Sequence, residues 1–353
     1  MQVFKIFGNK DTLKIMVYID WANYIMELKR IGIIGNLNVD LIIRQVMCMP
    51  AWGTEVLGKN SNLYPSGQAG NTSFALRALG LPVSIIANVG ADLYGEMIIN
   101  SLKSAGIGTS GVSIIGKRKT GITVAIVRSD GERAFVSDYG CLDDFTCALI
   151  KNNWHILKDT DYICIFGLLT LQNINHDELN DILLELKNMG KITLLDTGWD
   201  PNGWPDTTKK GLKKILRNIS IFIPNIDEAE ALIGSRDPYI AVHMLHELGV
   251  KIVIIKLGNE GSFGSNGKDI FKIPAITTNV IDSVGAGDVF NAGFIYGHRK
   301  KFSIDTCMAL GNAVASYYIS KSKNRYPSRL DVVTCLKKYR NFLGINIKDE
   351  ELA

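Results

Sequence analysis

Ile281-Asp282-Ser283-Val284-Gly285-Ala286-Gly287-Asp288-Val289-Phe290-Asn291-Ala292-Gly293 is the stretch whose reading decides the fold. Gly285, Ala286 and Gly287 lead into an apolar, helix-compatible run of Val289, Phe290, Ala292, Phe294 and Ile295. Their backbone N–H groups are therefore expected to crown a helix N-terminus, where unpaired amides and the helix dipole favour anions. Asp288 follows directly. A carboxylate there can take a proton from a nucleophile while the amides stabilise charge on a transferring phosphoryl group. The plainer alternative is a Gly-rich turn that only starts a helix, with Asp288 as a first-turn acid favoured by the dipole. G-A-G-D alone does not choose between the two.

At 353 residues the chain can bury a large core, as one large domain or two modest ones. A hydrophobic content of 46% with 21% charged residues fits a soluble globular class. The formal net charge of +4 is spread along the chain without a long Lys or Arg block, which speaks against a nucleic-acid partner. The six cysteines lie far apart and form no C-x-x-C, so neither a zinc site nor a disulfide framework is expected. No apolar run reaches the roughly 18 residues of a membrane span. The expectation is a cytoplasmic protein with no membrane partner. Residues 1–28 lack the pattern of a signal peptide and read as an N-terminal extension that need not be native, with Met26 or Met16 as the natural start. The domain is then expected to span 29–345.

Ile31–Gly35 reads as a strand whose unbroken apolar run suits burial on both faces of a parallel sheet. The following turn lacks G-x-G-x-x-G, which weighs against a dinucleotide-binding unit and an oxidoreductase. It offers Asn36, Asn38 and Asp40 instead, groups suited to hydroxyls. Segments at about 45–65 and 117–137 show β-like alternation without helical periodicity, and are expected to form a small antiparallel sheet that lies over a site as a lid. Between them, 66–71 leads into a short helix closed by Gly80. From Tyr162 onward strands are expected at Tyr162–Phe166, Ile192–Asp196, 219–224 and 251–256. Helices are expected at 177–189, 207–216, 227–233, 238–248, Ile304–Ile319 and 328–342. Such alternation implies a parallel sheet covered on both faces. Gly111 to Arg118 nearly spells a P-loop, but Arg118 stands where Ser or Thr would meet Mg²⁺, and 113–115 reads as strand.

In this order the opening stretch resembles the C-terminal signature of the PfkB, or ribokinase-like, family of carbohydrate and nucleoside kinases: D-T-x-G-A-G-D-x-F, here Asp282 to Phe290. Gly67 to Asn71, with Ala75, Leu76, Leu79 and Gly80 after it, resembles the N-terminal signature. Pro224-Asn225-Ile226-Asp227-Glu228 resembles the N-x-x-E motif. Three motifs in the right order, spanning residues 31 to 328, make the resemblance specific. It implies an α/β ribokinase-like fold, with a central mostly parallel sheet, helices on both faces and a small antiparallel β lid. The implied activity is ATP- and Mg²⁺-dependent phosphorylation of a hydroxyl on a small sugar or related polyol.

The same resemblance makes Asp288 the general base and the amides of Gly285, Ala286 and Gly287 an anion hole. That matches the needs of phosphoryl transfer, which is mostly positioning and charge neutralisation. Asn225 and Glu228 would organise Mg²⁺, largely through water, as suits an ion that keeps its hydration shell. Glu228 can equally be the N3 acid of a capping box. Asp40, Gly67, Gln68 and Asn71 match positions that hold acceptor hydroxyls, although Asn71 alone would suit a helix N-cap. Lys256, Gly258 and Gly261 resemble the nucleotide-side loop, and Asn312 matches a position near adenine. A monovalent cation is a further cofactor compatible with the family. Gln68 stands where ribokinases proper carry Lys, and 167–173 holds no acid, so ribose is disfavoured. A phosphorylated sugar is less expected because no cluster of cations is evident. The rivals are a nucleoside kinase, with Trp52, Tyr64 or Phe135 against the base, and a non-catalytic sugar sensor. Exposed lid edges would suit a homodimer.

Overall fold

The structure, a computed structural model, describes residues 29–130, 132–321 and 325–345; the expected extension at 1–28 lies outside them. Strand β1 (Ile31–Gly35) is buried at every residue, as is β4 (Val83–Gly90), because both sit between two layers of helix. Alternate side chains serve opposite faces. Ile31, Ile33, Val83 and Ile85 enter one core with residues of helices that include α1 (Gln68–Ala78), α9 (Ala286–Arg299) and α10 (Ile304–Ile319). Ile34, Ile86, Ile163 and Ile165 enter the other, with α5 (His176–Asn188), α6 (Asp206–Leu216), α7 (Ile226–Ile233) and α8 (Pro238–Glu247).

The main sheet has nine strands in the order β13-β12-β11-β10-β9-β8-β1-β4-β5. Its remaining members are β5 (Gly108–Ile115), β8 (Tyr162–Phe166), β9 (Ile192–Asp196), β10 (Ile221–Phe222), β11 (Ile252–Lys256), β12 (Ser262–Ser265) and β13 (Ile270–Ile273). Pairing is parallel from β11 through to β5, and antiparallel where β12 and β13 close one edge. The expected elements fall close to those observed. The near-P-loop at 113–115 is indeed strand, inside β5. Among described residues no helix is long and apolar enough to cross a membrane.

The lid is a four-stranded sheet in the order β3-β2-β6-β7, formed by β2 (Asn38–Val46), β3 (Asn60–Ser66), β6 (Gly121–Arg128) and β7 (Arg133–Asp138). It differs from the expectation in two respects. The outer pairs are antiparallel, but the central pair β2–β6 is parallel, with Asn38 facing Gly121 and Arg44 facing Val127. The cause is the route of the chain. β2 continues from β1 after two residues, and β6 continues from β5 after a short turn. Both leave the C-terminal ends of parallel strands in one sheet, so they set out in the same direction. The lid also begins earlier than 45, because the polar run Asn36 to Asp40 already leads into it. Its own core is Ile42, Ala125 and Val127 packed on Val284, which ties the lid to the Gly-rich motif.

Candidate active site

The C-terminal ends of β1, β8, β9 and β11 meet the N-termini of α1, α7 and α9, which is where open α/β sheets place ligands. Gly285 caps α9 in the left-handed region, with φ 84°. A Cβ there would come 2.9 Å from the Tyr318 hydroxyl. Ala286, Gly287 and Asp288 form the first turn. The Ala286 amide donates to Ser283 O at 3.2 Å, while the Gly287 and Asp288 amides have no acceptor among the described residues. These are the donors that a first helical turn leaves unpaired.

Asp288 is 8% exposed. Its Oδ2 accepts from Asn71 Nδ2 at 2.9 Å, and its backbone carbonyl accepts from the Thr72 hydroxyl at 3.0 Å. Burial pushes its carboxyl up to about 7; the Asn71 bond and the Lys256 charge pull the other way, and the charges of Asp196 and Asp40 reinforce the rise. A base poised there can hold or release a proton near neutral pH.

Asn71 is the hub of a hydrogen-bond network on one side of Asp288. It lies inside α1, whose N-cap is Gly67, so it is not the cap residue. Its amide also donates to Ser66 Oγ at 3.0 Å, and Ser66 donates to Asp40 Oδ2 at 2.5 Å. Asn38 holds the other Asp40 oxygen at 2.8 Å, and burial pushes the Asp40 carboxyl up to about 6. Tyr326 donates to Asn71 Oδ1 at 3.0 Å, which fixes which way the amide points. Gly67 has φ 92°, and a Cβ there would lie 2.4 Å from Asn36 O. The Gln68 amide nitrogen donates to Asn36 Oδ1, and its side-chain oxygen packs against Gly167 and Gly198. Gln68 thus spans the ends of β1, β8 and β9.

On the other side, Asp196 at the end of β9 accepts from Lys256 and, at 2.6 Å, from Asn291. Asn225 and Glu228 form a reciprocal capping box on α7, with bonds of 2.9 and 2.8 Å. Glu228 is nonetheless 4% exposed, and burial, reinforced by the Asp196 charge, pushes its carboxyl up to about 7. Burial alone would lower the Lys256 ammonium, but the charges of Asp196, Glu228 and Asp288 outweigh it and hold it protonated. A cleft of about 500 Å³ lined by Trp199, Asn225, Asp227, Glu230 and Ala231 opens beside this helix start.

Gly258 and Gly261 shape the turn after β11, with φ 60° and 98°. Asn312 on α10 donates to the carbonyls of Ile273 and Pro274 at 3.2 and 3.0 Å, so its amide holds the chain leaving β13.

Several site residues escaped the sequence reading: Ser66, Thr72, Asp196, Asn291, Tyr318 and Tyr326. Asp196 ends a parallel strand and Asn291 lies one turn after Asp288, signals that could have found both. Asp282 lies between two buried guanidinium groups, Arg44 and Arg325, the latter at 3.4 Å. Cations therefore do approach the Asp40 side of the site. Both are paired with Asp282, and Asp40 lies nearby, so the region gains no net positive charge.

The geometry has close counterparts in known proteins. The sequence profile of the pfkB family carbohydrate kinases matches residues 28–330. An uncharacterized sugar kinase of Archaeoglobus fulgidus is 33% identical over 253 residues, covering 70% of this chain and 94% of its own. Arabidopsis thaliana ribokinase complexed with ribose and ATP superposes with a TM-score of 0.73 at 23% identity, covering 88% of this chain and 99% of that one. A Methanocaldococcus jannaschii nucleoside kinase, an archaeal member of the ribokinase family, gives a TM-score of 0.69 at 20% identity, covering 88% and 99%. The fold and site define a ribokinase-like kinase. The chain belongs to the pfkB family of carbohydrate kinases and is a sugar kinase.

Proposed function

We propose that this kinase transfers the γ-phosphoryl group of ATP to a hydroxyl of a small neutral sugar or related polyol. Asp288 is the general base, and the amides of Gly285, Ala286 and Gly287 form the anion hole, that of Ala286 being shared with Ser283 O. One observation carries the reading. Asp288 and Asp40 lie on a single buried hydrogen-bond chain through Asn71 and Ser66, which couples a base poised near neutrality to the residues that would hold the acceptor. Asp40, Gly67, Gln68 and Asn71 orient the acceptor, and Asp288 takes its proton as the oxygen attacks. Lys256, Gly258 and Gly261 serve the nucleotide side with Asn225. Asn312 supports that side by fixing the chain after β13.

The residues fit Mg²⁺ held mainly through water. Asp196, Glu228 and Asp288 place three carboxylates around one ammonium, an excess of negative charge that a divalent ion would balance. Among the described residues no three His, Cys, Asp or Glu side chains converge to hold an ion directly. Glu228 and Asn225 would hold its water shell, and the ion would neutralise charge on the phosphates.

Three aromatic positions bear on the nucleoside alternative. Trp52 is fully exposed and Phe135 is half exposed, while Tyr64 packs under the guanidinium groups of Arg44 and Arg325. Tyr64, the one of the three that is not exposed, already has its ring against two guanidinium groups, which supports the smaller acceptor. The lid edges β3 and β7, with Leu63, Phe135 and Val136 exposed, support a homodimer, which light scattering would measure. ADP release across a panel of sugars, polyols and nucleosides tests the reading, with and without K⁺. Stimulation by a sugar or polyol is expected. Stimulation by nucleosides alone would install the rival, and no stimulation by any acceptor would contradict the mechanism.

A further inference from the structure

Lys256 occupies a position that fold stability alone does not require. It is the last residue of β11, and its side chain crosses to the first turn of α9. A Cβ on Gly287 would lie 3.3 Å from its Nζ and 3.7 Å from its Cδ, so only glycine leaves the lysine undisturbed at that point. The ammonium is thus parked beside the positive end of a helix, an unfavourable place for a cation unless an anion joins it. Among the described residues its one hydrogen-bond acceptor is Asp196, which leaves two of its three N–H donors unspent.

Asp196, in contrast, has both carboxylate oxygens engaged. Its Oδ2 accepts from Lys256 and Asn291, and its Oδ1 accepts from the Gly198 amide at 3.3 Å. Its side chain is completely buried, and the lysine's is 12% exposed. Asn291 Oδ1 and Thr197 Oγ1, beside this pair in sequence and in the fold, are buried and without partners among the described residues. An anchor with both carboxylate oxygens engaged, holding a cation with donors to spare, is the arrangement of a positioned charge.

We propose that Lys256 is a catalytic residue that donates to a non-bridging oxygen of the transferring phosphoryl group, with Asp196 and Asn291 as its positioning residues. The inference rests on the phosphoryl-transfer reading above. In the step, the acceptor oxygen bonds to Pγ as the bond from Pγ to the β,γ-bridging oxygen breaks. The acceptor proton passes to Asp288, and the electron pair of the broken bond leaves with ADP. Lys256 neither gains nor loses a proton. It moves no atom of the reaction and acts by charge, together with the Gly287 amide.

Lys256→Met is expected to lower kcat by roughly 10²- to 10³-fold, with the KM for the acceptor changed only a few-fold. Its affinity for ADP with aluminium fluoride, Mg²⁺ and acceptor, measured by calorimetry, should fall in parallel, while affinity for ADP alone should hold. A purely structural pair predicts otherwise: Lys256→Met would fail because it strands Asp196, and removing both charges would cure it. The double variant Lys256→Met/Asp196→Asn therefore decides, and it also serves if the single variant does not fold. Turnover that stays as low as expected for the single variant, in a protein with wild-type-like melting, supports the proposal. Recovery to within tenfold of wild type overturns it. Asp288→Asn keeps the two readings apart, because losing the base should lower turnover about 10²- to 10⁴-fold while sparing affinity for ADP with aluminium fluoride.

Discussion

Asn71 Nδ2 lies 2.9 Å from Asp288 Oδ2, a contact between residues 217 apart in sequence that joins the two signature motifs directly. The same amide nitrogen donates to Ser66, and the amide oxygen is held by Tyr326. Its orientation is therefore fixed at both ends, and it presents N–H, never oxygen, to Asp288.

Asn71 stabilises the charged form of Asp288 against its burial. Asn71→Ala is expected to move the acid limb of the pH profile of kcat/KM to higher pH. Turnover at pH 7 should fall by about 10- to 100-fold, the worth of a hydrogen bond to a charged group. Tyr326→Phe should shift the limb in the same direction by less, because the amide remains but loses its anchor. A profile unmoved in both variants would separate Asn71 from the base.

Glu228 has two possible uses, and Glu228→Gln distinguishes them. The Gln oxygen can still accept from the Asn225 amide, so the capping box and the melting temperature should survive. If the carboxylate also organises Mg²⁺ through water, the apparent Mg²⁺ affinity should weaken about 10- to 100-fold. Titration of activity against Mg²⁺ checks this; an unchanged curve would leave Glu228 a cap alone.

Asp282 balances two buried guanidinium groups, one from lid strand β2 and one from the segment before α11 (Arg329–Leu343). Asp282→Asn leaves both under-compensated in the interior. A loss of about 3–5 kcal/mol is expected, as for other buried pairs broken from one side. Urea unfolding measures it; a loss under about 1 kcal/mol would mean that the lid does not depend on this junction.

The three buried carboxyls also set how stability varies with pH. Asp40, Glu228 and Asp288 are all raised, to about 6, 7 and 7. The folded protein therefore binds more protons than the unfolded chain between the ordinary carboxylate range and about pH 7. Their burial costs little below that window, and stability falls as pH rises through it. Asp288→Asn stays neutral throughout, so its melting temperature should exceed that of wild type by more at pH 8 than at pH 5. A constant difference across that range would refute the raised carboxyl.

Much of this fold could be read from local pattern. Strands β1 and β8 carry no polar side chain but the Tyr162 hydroxyl, and Ile192–Asp196 and Ile304–Ile319 fall where periodicity put them. The parallel centre of the lid could not be read that way. Alternation shows which residues share a face and carries no information about which edge of a sheet the chain left. At the site, the Gly-rich turn and the acid after it were visible because amides and a base must be close in sequence to share a helix start. Tyr326 and Arg44 were invisible for the converse reason: each meets its partner only across the folded chain, and an isolated Tyr or Arg carries no local signature. Glu228 shows a limit of another kind, since the spacing of a capping box and that of a metal-water pair are identical.

Turnover of Asp288→Asn with the acceptor that best stimulates ADP release is the most direct test of the central claim. Asn keeps the size and the contact with Asn71 but cannot take a proton. A fall in kcat of about 10²- to 10⁴-fold, with ATP binding retained and no acid limb near pH 7, is the predicted result. Near wild-type turnover would contradict the assignment of Asp288 as the base.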